Sequence, residues 1–161
     1  MKPLFVLLGT FLLALGATRL FGGSLNYLLA GNVAMAVMLL FTGMAHFTLT
    51  KGMVLMLPDW LPGRKAWVYV TGLMELAAAV GLLVPGLRQL AGWLLLVFFV
   101  LVLPGNIHAA LHHINYQKGT TDGPGPRYLW FRVPLQLLFI AWTWYFSTHL
   151  PAAPALSSLS H

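Results

Sequence analysis

The chain has 161 residues, 59% hydrophobic and only 7% charged. Soluble domains carry about 25% charged residues, so this composition excludes an ordinary soluble domain and points to an integral membrane protein built as one compact bundle. The net charge of +6 does not read as a nucleic-acid surface, because the basic residues stand singly between apolar segments, and the absence of cysteine excludes disulfides, CxxC redox chemistry and thiolate metal sites.

The first apolar segment, residues 3–20, lies between Lys2 and Arg19. Ala14 to Ala17 resembles a signal-peptide cleavage site. Arg19, Gly22 and Gly23 lead almost directly into the next span, however, so a retained extra N-terminal helix over residues 1–24 is the favoured reading. The second segment, residues 27–50, contains Asn32, Gly43 and His46. A loop over residues 51–65 follows, in which Pro58 and Pro62 stop any continuing helix and Trp60 suits a membrane interface. The apolar stretch 53–57 is expected at the membrane surface.

The third segment, residues 67–84, ends at the Pro85–Gly86 turn. The fourth, residues 87–113, contains Pro104, which is expected to kink the helix and free carbonyls that neighbours must satisfy. A polar loop over residues 115–126 leads to the fifth segment, residues 128–148, with Arg132, Pro134, Gln136 and an aromatic belt at Trp142, Trp144 and Tyr145. The spans make up a domain over residues 25–149, and residues 150–161 read as a flexible tail.

With five spans, Lys2, Lys51, Arg64, Lys65, Lys118, Arg127 and Arg132 fall toward one face, and only Arg19 and Arg88 toward the other. The positive-inside rule makes the first face cytoplasmic and places the N-terminus there.

Glu75 stands near the middle of the third apolar segment. A charge at the centre of a bilayer costs at least ~2.5 kcal/mol, so an intramembrane carboxyl is a functional-site hypothesis by default. Gly72, Glu75, Ala79 and Leu82 share one helical stripe, where small residues allow close helix approach. The competing reading is a protonated acid hydrogen-bonded to a neighbouring helix with no other role.

His46, Asn106, His108, Arg132 and Gln136 fall at similar depth on three other helices, whereas the outer half reads as almost purely apolar. This asymmetry predicts a polar cavity opening to the cytoplasm, with Glu75 at its floor and Arg132 as its counter-ion. Asn106 and His108 have a second reading, as caps on carbonyls released by Pro104. His108 and His112, spaced i, i+4, present two imidazoles on one helix face, but metal sites use three or four ligands, so no metal is expected, and haem still less.

Several runs carry a resemblance. They are Gly43, His46 and Phe47; Met56, Pro58, Trp60 and Pro62; Gly72 and Glu75; Gly81 to Leu83; Pro104, Asn106 and His108; and Arg132, Pro134 and Gln136. In this order, over residues 27–148, they resemble the DoxX family of small membrane proteins and its DoxX-like branch. The resemblance implies an all-α four-helix transmembrane bundle made of segments two to five, with the first helix as an addition. It also implies association with membrane redox complexes such as thiosulfate:quinone oxidoreductase, and it marks His46, Glu75, Asn106, His108, Arg132 and Gln136 as the site.

The function expected from these readings is that of a redox-associated subunit, an oxidoreductase component binding a quinone or similar small molecule. Glu75 and His46 would exchange protons with the head group, while Asn106, His108, Arg132 and Gln136 orient it. The alternatives are a small-solute transporter gated by Glu75 and Arg132, or a non-catalytic assembly subunit. The expected setting is the lipid bilayer of a bacterial cytoplasmic (inner) membrane, with a partner redox subunit. Homo-oligomerisation stays open.

Overall fold

A computed structural model describes residues 2–149 of the chain; the tail expected to be flexible lies outside these residues. The described residues are all helical apart from short connections and one isolated bridge between Asn115 and Thr120. Six α-helices follow in order: α1 (Lys2–Gly22), α2 (Tyr27–Thr48), α3 (Thr50–Leu55), α4 (Arg64–Leu83), α5 (Arg88–Leu111) and α6 (Leu129–Thr143). A 3₁₀ turn (Gly125–Tyr128) leads into α6, and a π-helical segment (Trp144–His149) continues it.

Among the described residues, α1, α2, α4 and α5 are each long and apolar enough to cross a membrane, an arrangement compatible with an integral membrane protein. Their outward faces fit that solvent: Leu13, Leu73, Leu94 and Leu101 are all exposed, Leu101 to 69%. In water such a surface would be an association liability. In lipid it is the required exterior, because the helices already satisfy their own backbone groups.

Local chemistry sets the helix boundaries. Gly63 adopts a left-handed conformation (φ 66°) just ahead of α4, so the helix starts at Arg64, earlier than its apolar run suggests. At the head of α2, the Asn26 side chain accepts a hydrogen bond from the Leu29 amide at 2.9 Å. The Asn26 amide in turn donates to the Thr18 hydroxyl at 3.2 Å, tying the end of α1 to the start of α2. The second apolar segment does not run on to residue 50. It breaks at Leu49, and the short α3 follows.

Helix α2 is the centre of the bundle, packing against α1 on one side and α4 on the other. Its Ala30, Ala34 and Ala36 bring those neighbours close, while Met35, Met38 and Leu39 fill the spaces between them. Helix α1 is mostly exposed, yet Leu7 is fully buried in the core, and the Phe11 ring meets Trp142 edge-on at 5.0 Å. Helix α5 packs against α4 and α6, and α6 touches α2 and α1 through Trp142.

Candidate functional site

The contact between α2 and α4 is built on two glycines. A Cβ on Gly72 would stand 2.6 Å from the Cβ of His46, and one on Gly43 would stand 3.2 Å from the Gly72 carbonyl. This close crossing sets His46 against Gly72 and, one helical turn further along α4, against Glu75.

The His46 ring is held from both edges. Its Nδ1 lies 2.9 Å from the Val68 carbonyl and 3.2 Å from the Thr71 hydroxyl. A carbonyl can only accept, so Nδ1 carries a hydrogen and donates it. The Thr71 hydroxyl supports this assignment, because it gives its own hydrogen back to the carbonyls of Trp67 and Val68. That leaves Nε2 facing Glu75 Oε1 at 3.5 Å, with both side chains largely buried. The pair can exist as imidazole beside carboxylic acid or as imidazolium beside carboxylate, with one proton between the two groups. The second carboxyl oxygen, Oε2, is buried with no hydrogen-bond partner.

The other expected site residues do not join this pair. Arg132 is not the counter-ion of Glu75. Its Nε and Nη2 donate to Asn106 Oδ1 at 3.2 and 3.0 Å, because α6 packs on α5 and not on α4. The transporter reading's Glu75–Arg132 gate is therefore not formed.

Asn106 is thus not a cap on a carbonyl freed by Pro104, and His108 reaches across to donate from Nδ1 to the Met56 carbonyl at 3.1 Å. A donor from α6 to α5's backbone is Gln136, whose Nε2 bonds the Phe99 carbonyl at 2.8 Å, upstream of Pro104. His108 and His112 stack at 4.1 Å, and no group of three or more potential metal ligands occurs among the described residues.

Two hollows lie elsewhere on the bundle. A small cavity of about 20 Å³, enough for one water, lies beside Asn106 and Arg132. A larger open groove of about 710 Å³ lies at α3 and the loop after α5. Neither is lined by His46 or Glu75.

A family model described as a domain of unknown function, DUF8561, matches residues 35–147. The chain belongs to the DUF8561 family. This overturns the DoxX resemblance, which rested on short runs of Gly, Pro, His and aromatic residues. Such runs recur wherever helices cross and turn in a membrane, so in-order spacing is weak ground for kinship. No curated protein and no solved structure matches the chain. All six expected site residues lie within the DUF8561 stretch, while α1 and Asn32 precede it.

The end of the bundle away from His46, expected to be almost purely apolar, also holds buried polar groups. Asn32, fully buried, donates from Nδ2 to the carbonyls of Leu28 and Phe146 at 2.8 and 2.9 Å and accepts from the Ser147 hydroxyl at 2.8 Å. Trp142 donates to the Gly31 carbonyl at 3.0 Å. Asn32 was visible as an amide in an apolar run. Its partners were not, because a helical Ser or Thr usually bonds within its own helix, and the π-helical segment that brings Ser147 to Asn32 leaves no mark in the hydrophobic pattern.

Proposed function

We propose that the chain is a polytopic membrane protein of five helical spans, with α6 and its π-helical continuation as the fifth and the N-terminus cytoplasmic. In this reading the His46–Glu75 pair is its proton-exchange site, serving a small molecule that binds with uptake or release of a proton. The observation that carries it is the fixed His46 tautomer. With Nδ1–H committed to Val68, the proton between Nε2 and Glu75 can move without displacing either helix, and the partnerless Oε2 leaves one acceptor for an incoming donor. A quinone head group suits this chemistry, since its reduction takes up protons, with the electrons arriving from a partner subunit. The acid–base chemistry of the pair is the sole support for that ligand class once the DoxX resemblance falls away.

A second reading, a non-catalytic assembly subunit, is favoured by one observation: the pair lines neither the cavity beside Arg132 nor the groove at α3. A buried polar pair can serve only to specify which helix faces pack together. Mass spectrometry of small molecules co-purifying with the detergent-solubilised protein separates the two, read beside infrared difference spectra across a pH titration. Under the proton-exchange reading, Glu75→Gln loses both the co-purifying molecule and the carboxyl signal. A carboxyl that never titrates, together with an unchanged small-molecule profile in Glu75→Gln, leaves the assembly reading in place.

A further inference from the structure

Three of the chain's four lysines, Lys51, Lys65 and Lys118, line the 710 Å³ groove at the end of the bundle formed by α3 and the loop after α5. They come from three separate stretches of chain, and specific backbone geometry gathers them. The loop doubles back through the Asn115–Thr120 bridge, with Gly119 at φ 68° and its amide donating to the Asn115 carbonyl at 2.8 Å. The loop then lies directly on α3. A Cβ on Gly52 would stand 1.8 Å from the Tyr116 carbonyl oxygen, so only glycine admits this contact, and it sets Lys51 beside the Lys118 loop. From the other wall, Lys65 holds its ammonium 5.7 Å from the centre of the Tyr69 ring, which stacks on Phe47 at 5.6 Å.

No carboxylate lines the groove, and none of the three lysines forms an ion pair among the described residues. Asp59 is occupied by Arg64. Asp122, outside the lining, is held below the usual carboxylate range, chiefly by the Thr120 hydroxyl and less by the charge of Lys118. Three lysines around one groove, with Tyr69 and Phe47 in its lining and no carboxylate, make a site for a compact multivalent anion.

We propose that this groove binds a phosphate group, either the head-group phosphate of an anionic lipid or a soluble phosphate. The lipid form rests on the membrane-spanning reading above. The soluble form does not, so the two can fail separately.

The test is native mass spectrometry of the purified full chain in detergent with equal phosphatidylglycerol and phosphatidylcholine. A second arm follows thermal unfolding in inorganic phosphate against chloride at matched ionic strength. The lipid form predicts phosphatidylglycerol adducts that outlast those of phosphatidylcholine. These fall about fivefold for each lysine replaced in Lys51→Gln, Lys65→Gln and Lys118→Gln, and they persist in Lys2→Gln, which loses the same charge outside the groove. The soluble form predicts a phosphate-specific rise in Tm that the triple variant abolishes. Gly52→Ala, which moves the loop while keeping every charge, should weaken whichever signal is present. A triple variant that keeps both signals, or a Lys2→Gln protein that loses as much as the triple variant, overturns the proposal.

Discussion

Glu75 can persist in an apolar helix only if its charge is met or its proton is kept, and His46 offers both solutions through the same nitrogen. Glu75→Gln should therefore fold nearly as well as the parent, within about 1 kcal/mol, because an amide N–H can still donate to Nε2. Glu75→Leu should cost about 1–3 kcal/mol, since it leaves the buried Nε2 of His46 with no partner; thermal unfolding in detergent ranks the three proteins. Gln136→Leu tests the same principle at the other polar contact. It removes one donor from the Phe99 carbonyl, which keeps its place in the helix ladder, so a smaller destabilisation of about 0.5–1.5 kcal/mol is expected there. That Glu75 would need a polar partner was legible in the sequence, because an ionisable group amid apolar residues announces its own cost. The partner of Arg132 was not. Guanidinium and carboxylate at equal depth suggest a pair, but which helix stands next to which is a property of the whole bundle, and α5 lies between them.

The crossing of α2 and α4 depends on backbones meeting without side chains. Gly72→Ala puts a methyl 2.6 Å from the Cβ of His46, an atom fixed to its own backbone. It should cost about 1–3 kcal/mol and part His46 from Glu75. At Gly43 the nearest atom is the flexible end of Leu76 at 2.9 Å, which can turn aside, so Gly43→Ala should be the milder change. Gly16 in α1 has nothing within 4 Å, and Gly16→Ala should leave stability unchanged or slightly raised. Unfolding midpoints of the three variants should fall in that order; an equally costly Gly16→Ala would mean that α1 carries contacts on its bare face. The long helices were legible because apolar runs of their length have few other forms. The break at Leu49 and the π-helical segment after Thr143 were not, because no Gly or Pro marks either one and both answer to packing rather than to local propensity.

The ends of the bundle separate charge. Gly52 against Tyr116, and His108 against the Met56 carbonyl, fix the loops on either side of α3 and after α5 at one end, which gathers Lys51, Lys65 and Lys118 there. The Pro85–Gly86 turn lies at the other end of α4, whose 20 residues span about 30 Å, with Arg88 folded back onto the Leu82 carbonyl at 3.1 Å. If the bundle crosses a membrane, the positive-inside rule predicts that the lysine-rich end faces the cytoplasm. Because the chain has no cysteine, single introduced thiols read this without background. Thr121 is exposed in the loop after α5, and Gly86 has open space around it, so both sites accept the change. In intact cells a membrane-impermeant maleimide should label Gly86→Cys and spare Thr121→Cys until the cells are permeabilised. The opposite pattern would keep the spans and reverse the orientation, carrying the lysine groove to the outer surface. Labelling of both thiols from one side would mean that α5, the helix that separates Gly86 from Thr121, does not cross.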